Sequence, residues 1–225
     1  MMMMTKKILL LLAAFSLATA VFSQKKDFGI YYGIGGEVKL VSKLELDIVA
    51  NIRTLDNASE IRQAFVEPGL TYKFSKFLSV GAGYRFTLFY EDDESYHPRH
   101  RWYTDIKGKV PAGDFEISAR IRFQQSFLTY FEDESDKDPY NEVRYRIKTL
   151  YNIPSFPVNP YLAAEFYMPV SHDYEKTIDT RKYMFGAEYN ISKKHSVELE
   201  YMYQHDFLPK EKSRNVISVN YYFKF

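Results

Sequence analysis

Cysteine is absent from the 225 residues, which excludes a disulfide framework and thiolate metal sites. Charge of one sign is missing too: 30 basic residues face 29 acidic ones, a formal net charge of +1. Nothing in that balance points to a nucleic-acid partner. Long apolar runs are scarce. The longest, residues 8–22, spans 15 residues and no other is comparable, whereas a membrane-spanning helix needs roughly 20. With a mean hydropathy of −0.37, the chain is too polar for a helical membrane protein.

That apolar run follows Lys6 and Lys7 and is followed by small residues, the pattern of a secretory signal peptide. Residues 1–23 are expected to be cut after Ser23, leaving residues 24–225 as one domain; no Cys at the cut means no lipoprotein anchor. Losing Lys6 and Lys7 leaves 28 basic against 29 acidic residues and turns the net charge to −1.

What the chain does have is 20 Tyr and 18 Phe, spread through segments of period two. Residues 44–56 set Leu44, Leu46, Ile48, Ala50 and Ile52 against Glu45, Asp47, Val49, Asn51 and Arg53. Alternation of this kind is a β-strand with one apolar and one polar face. Further strands are predicted over residues 27–40, 61–74, 78–90, 100–110, 115–130, 140–151, 160–170, 181–190, 195–206 and 214–225. Pro68 has no N–H for a ladder and marks a weak point in the third. Connections alternate: short near residues 41, 75, 111 and 191, long and charged near 57, 92, 132, 172 and 207, with the Pro-bearing 152–159 between. Alternation of short turns with long loops, and apolar residues at every second position, predict an all-β, antiparallel transmembrane β-barrel of roughly 10–12 strands in the cell outer membrane. A lipocalin-like soluble barrel is the rival; it would bury aromatics mid-strand. Here Tyr72, Phe74, Tyr151, Phe223 and Phe225 sit near short-turn ends and Tyr90, Phe127, Tyr130 and Tyr203 near long-loop ends, as interfacial girdles require. The direct count is eleven, which conflicts with the even number normal for bacterial single-chain barrels. The Gly-rich first strand is the suspect, or residues near Gln24 cross the barrel.

The closing alternation Val219, Tyr221, Phe223, Phe225 resembles the last strand of outer-membrane barrels, whose terminal Phe is read by the barrel assembly machinery. Residues 44–53, the run Gly81-Ala-Gly-Tyr-Arg85, the paired Arg144 and Arg146, Glu165 within residues 160–166 and the closing residues 221–225 together resemble an uncharacterised outer-membrane barrel family of Bacteroidota, domain-of-unknown-function family 2490. Tyr31 or Tyr32 stands where that family has a first-strand Trp. The resemblance covers nearly all of residues 27–225, implies barrel and outer membrane, and brings no activity.

Strand parity sorts the charges that face inward. A basic wall, Arg85, Arg101, Arg120, Arg122, Arg144 and Arg146, falls on strands four to seven. An acidic wall, Glu45, Asp47, Glu165, Glu188, Glu198 and Glu200, falls on strand two and strands eight to ten. Two walls across a narrow lumen make either a transverse field in a narrow channel for small polar or ionic solutes or a closed interior in which Glu45, Glu165, Glu198 and Glu200 reach the arginines. Unpaired buried charges cost several kcal/mol each, roughly, so the paired and mostly closed interior of a structural or interaction barrel is expected. A barrel-embedded lipid hydrolase would need a rim Ser–His pair; Ser95, Ser126 and Ser171 lie near the rim histidines His97, His100, His172 and His205, but no nucleophile motif appears, so no enzyme activity is expected. No cofactor is expected, and no metal site is assigned to those histidines. The acidic loop runs, residues 91–94 and 132–138, are read as solvated surface with lipopolysaccharide and outer-membrane lipid as neighbours.

Overall fold

In a computed structural model the described residues are 27–91, 94–130, 138–170, 177–207 and 211–225. The leader read at residues 1–23, most of the two acidic runs, Ser171 and His172 lie outside them.

Among the described residues eleven strands follow one another without a helix: β1 (Asp27–Val41), β2 (Leu44–Leu55), β3 (Glu60–Lys73), β4 (Leu78–Tyr90), β5 (Tyr96–Ala112), β6 (Phe115–Leu128), β7 (Tyr140–Tyr151), β8 (Val158–Pro169), β9 (Thr180–Asn190), β10 (His195–Asp206) and β11 (Lys212–Lys224). Each pairs antiparallel with the next, and β1 closes the ring on β11 in parallel, from Asp27 opposite Arg214 to Glu37 opposite Lys224. An up-and-down meander of odd length has to end this way, because its first and last strands run in the same direction. The count of eleven therefore stands, and the expectation of an even number does not. β1 is a full strand: its glycines let large neighbours lie across it, a Cβ on Gly35 falling 2.6 Å from the Tyr222 ring.

The periodicity does what a period of two must. Ile34, Ile48, Ile52, Val66, Leu70, Ile106, Ile121, Ile147, Leu162, Phe185 and Leu199 stand on the outer face and are exposed to whatever surrounds the barrel. No described helix is long and apolar enough to cross a membrane; the crossing elements are the strands, each with an apolar outer row. Pairing between β3 and β4 lapses at Glu67 and Pro68, where the imide nitrogen has no hydrogen to give. Aromatic pairs mark both rims. Tyr72–Phe74, Phe115–Tyr151 and Phe223–Phe225 lie 4.8–5.0 Å apart at the short-turn end, while Tyr90–Tyr96 and His97–Tyr130, at 5.1 and 4.0 Å, lie at the long-loop end.

One loop is shorter than expected. Residues 56–59 form a tight turn no longer than 74–77 across the barrel, with Asp56, Asn57 and Ala58 all at positive φ (51°, 56° and 64°). Asp and Asn tolerate that region better than most residues, which lets so short a connection close the hairpin.

The lumen is not uniformly charged. Tyr31, Tyr161, Ala163, Met184, Met202 and Val216 pack into one buried apolar cluster on the side formed by β8–β11 and β1. The arginines of β4–β7 stand on the other side.

Candidate functional site

The inward positions of β3–β9 build a belt across the middle of the lumen. Arg85 on β4 donates through Nε to Glu67 on β3, and Arg122 on β6 approaches the same carboxylate at 3.8 Å. Arg122 also grips Asp105 on β5 with two parallel bonds of 2.7 Å. Such a fork-on-fork pair fixes the plane of both groups. On β7, Arg144 donates to Glu165 of β8 at 2.9 Å and to the Gln124 carbonyl at 3.1 Å. Glu165 takes a second donor, Arg120, at 2.6 Å.

Rings interleave with these cations. Arg122 lies 3.5 Å over Tyr103, Arg85 3.8 Å and Arg53 4.8 Å over Phe65, Arg53 4.5 Å over Tyr31, and Arg144 4.2 Å over Tyr167, whose ring also faces Lys182 at 4.7 Å. The aromatic faces accept positive charge where carboxylates run out. Lumen-facing glycines make the room. Gly83 opposes Tyr103 and Gly186 opposes Tyr161, each ring lying over the gap.

Two cavities of about 490 Å³ each occupy the lumen, and the belt residues line the first of them. Arg85 lines both. The one towards the short turns is lined by Arg120, Arg122, Arg144, Arg146, Asp47, Glu165, Glu198 and Glu200 among others; the one towards the long loops holds Arg99 and Arg101. Glu188 takes Lys148 at 2.6 Å.

Some partners differ from those expected across the lumen. Glu45 is held by Lys73 on the adjacent strand, near the short-turn rim. Glu200 accepts from Tyr161 at 2.7 Å, and Glu198 from Asn220 at 3.1 Å with Lys148 at 4.0 Å. Neither Glu45 nor Glu198 nor Glu200 meets an arginine. The reason is proximity: the short hydrogen bonds form between neighbouring strands or next neighbours, and the ion pairs that reach over three strands, Arg122–Glu67 and Lys148–Glu198, are long, at 3.8 and 4.0 Å. Among the described residues Arg146 makes no ion pair, and its Nε is buried without a partner.

Parity could also have found residues left off the two walls. Glu142 shares the face of Arg144 and takes Gln124 at 2.7 Å; Lys182 shares the face of Glu188. Phe225 sits at the short-turn rim, its N–H donating to the Glu37 carbonyl at 3.0 Å.

Two Ser–His contacts occur at the long-loop rim. Ser95 Oγ meets His97 Nε2 at 2.7 Å. Ser213 Oγ meets His205 Nδ1 at 2.8 Å, with Glu211 Oε1 3.2 Å from Nε2. The second set has the members of a Ser–His–acid chain but not its shelter, since the Glu211 side chain is 74 % exposed. No group of three or more metal-ligating side chains is found among the described residues. Nearby, Asp179 precedes β9, accepts from Tyr140 at 3.0 Å, and keeps a buried Oδ1 without a partner. Burial pushes its carboxyl above the usual range, against the pull of Tyr140 and Thr180 hydrogen bonds.

Residues 28–215 match the model of a family described as protein of unknown function, DUF2490. No protein of curated function matches the chain. Among solved structures, the chain superposes on a NanC porin with a TM-score of 0.50 and 17 % identity, over 79 % of this chain and 86 % of the porin. It superposes on the β domain of the Bordetella autotransporter BrkA with a TM-score of 0.51 and 10 % identity, over 79 % and 82 %. At such identities the likeness is one of fold: an outer-membrane β-barrel.

Proposed function

This chain belongs to the DUF2490 family, and from that premise we propose that it is an outer-membrane barrel of structural or interaction type whose lumen is closed at mid-height. The observation that carries the reading is the belt Glu67–Arg122–Asp105 and Arg144–Glu165–Arg120, with Arg85 bonded to Glu67. A pore that passes solutes keeps its charges solvated and free to exchange partners; here they are spent on one another and on aromatic rings. Export on the cleaved leader, insertion through the assembly machinery by way of Phe225, and lipopolysaccharide and outer-membrane lipid around the long-loop rim belong to the same reading.

The test is a planar bilayer. The refolded wild type should give no ion-conducting steps, while the doubly opened Arg144→Ala, Glu165→Ala barrel should conduct. Steady steps from the wild type would overturn the closed lumen and establish the narrow channel for small ionic solutes, a reading favoured by the two cavities that meet at Arg85. We also propose no catalysis at Ser213, because an acid as exposed as Glu211 does little to polarise a histidine against water.

A further inference from the structure

The belt divides the lumen, and the chamber on its long-loop side has a composition of its own. Three guanidinium groups, Arg85, Arg99 and Arg101, line it together with Phe89, Ser126 and Tyr140; among the described residues the carboxylate in its wall is Asp138. Three cations around one half-open volume call for anions, and part of their hydrogen-bonding capacity is already taken.

Arg85 gives its Nε to Glu67, below the chamber. Arg99 bonds Glu91 through Nη2 at 2.8 Å, while its Nε is buried without a partner. Its guanidinium carbon lies 3.6 Å over the Phe89 ring, and the group has five N–H donors in all. Arg101 is the least satisfied. Its Nε donates to Ser126 at 3.0 Å, and among the described residues it makes no ion pair. Glu142 is engaged by Gln124 instead.

We propose that this chamber is a binding site for a small solute carrying a carboxylate or phosphate group, held by Arg101 and Arg99, which stand two residues apart on one face of β5. Guanidinium forks match the oxygens of either group, so the shared chemistry is a planar or tetrahedral oxyanion. The volume of about 490 Å³ lies within the range of roughly 300–1,000 Å³ usual for small-molecule sites. The site gives the interaction reading a ligand class and rests on it only in that the chamber ends at the belt.

The test uses the full barrel refolded in detergent and isothermal titration with three probes: sodium glucuronate, inorganic phosphate and glucose. Saturable binding of either anion, none of glucose, and at least tenfold weaker binding by Arg101→Gln are expected. Lys109→Gln, at the opposite rim, should bind as the wild type does. Arg99→Gln repeats the test should Arg101→Gln fail to show the heat-modifiable migration of a folded barrel. Glucuronate alone would identify carboxylate solutes, phosphate alone phosphate esters, and both together a site that reads charge. Absence of saturable binding by both anions, equal binding of glucose, or indifference to both substitutions would overturn the proposal. A conducting wild type that still binds anions would refute the closed lumen and leave the site standing; a silent barrel that binds neither anion would refute the site alone.

Discussion

Glu165 is the residue whose loss should cost the barrel most. It is 3 % exposed and carries two arginines, Arg120 at 2.6 Å and Arg144 at 2.9 Å, on the same Oε1. Glu165→Ala leaves both cations buried with no carboxylate in exchange, and Arg146 and Lys182 add positive charge nearby. Breaking a buried pair costs about 3–5 kcal/mol, and two stranded partners place this change at the upper end. Arg144→Ala is milder. Glu165 keeps Arg120, and what disappears is two hydrogen bonds from the charged guanidinium, to Glu165 and Gln124, and its contact with Tyr167, about 3 kcal/mol together at the low end of each. The asymmetry is the sharp part of the prediction, since an isolated pair would lose similar amounts from either side. Because the two residues share a bond, the double variant should be less unstable than the sum of the singles, with a coupling of about 1–3 kcal/mol. The assay is urea unfolding of the barrel in lipid vesicles, followed through the single tryptophan, Trp102, which lies on the outer face and donates to Gln125. Equal losses from the two single variants, or losses under about 0.5 kcal/mol from both, would mean the lumen is wet and the belt does not hold.

Asp179 has a raised carboxyl pKa in the folded chain, so its contribution to stability is complete below the ordinary carboxylate range and is lost as pH rises through the folded value; Asp179→Asn should therefore gain stability over wild type between pH 4 and pH 7, and a constant difference across that span in urea midpoints would refute it. A Cβ on Gly83 falls 2.3 Å from the Tyr103 ring, so Gly83→Val should cost about 1–3 kcal/mol and displace the ring from Arg122; an unchanged urea midpoint counts against the packing described. Refolded protein should not hydrolyse phospholipid or p-nitrophenyl esters, and turnover that Ser213→Ala abolishes would show that the His205–Glu211 pair is catalytic after all.

The fold is legible in the sequence because a barrel asks one question of each residue, inward or outward, and alternation answers it directly. β2 shows this: Leu46, Ile48 and Ile52 face out, while Asp47, Asn51 and Arg53 face in. Strand ends are less legible. β5 starts at Tyr96, four residues before the reading at His100, because Pro98 looks like a loop residue and its missing N–H is tolerated there within the pairing to Leu88. The short turn at residues 56–59 was hidden for the opposite reason, its polar residues reading as a long loop until their positive φ angles show how tightly they close. The apolar filling of one side was invisible to an inventory of charges, although Met184, Met202 and Val216 share the parity of Glu188, Glu200 and Ser218.

Which inward charges meet is a harder matter, and the obstacle is tilt. A row of paired residues can be followed from Arg99 on β5 through Thr87, Phe65, Asn51, Gly33 and Asn220 to Glu198 on β10. It begins three residues from the long-loop end of β5 and finishes three residues from the short-turn end of β10. Rows in a tilted barrel descend as they go round, so neighbours in the ladder are not neighbours in height. Parity alone is blind to that descent. It set Glu198 and Glu200 opposite the arginines when their level is that of Lys148 and Tyr161. Over one or two strands the descent is small, and there sequence reasoning works: Arg144 and Glu165, on adjacent strands, do meet. Across the lumen it accumulates, and the pairing has to be seen. The same geometry explains why Arg101 is left over. On the adjoining β6 its level holds Ser126, and the carboxylates of the belt lie below it, taken by Arg122, Arg144 and Arg85.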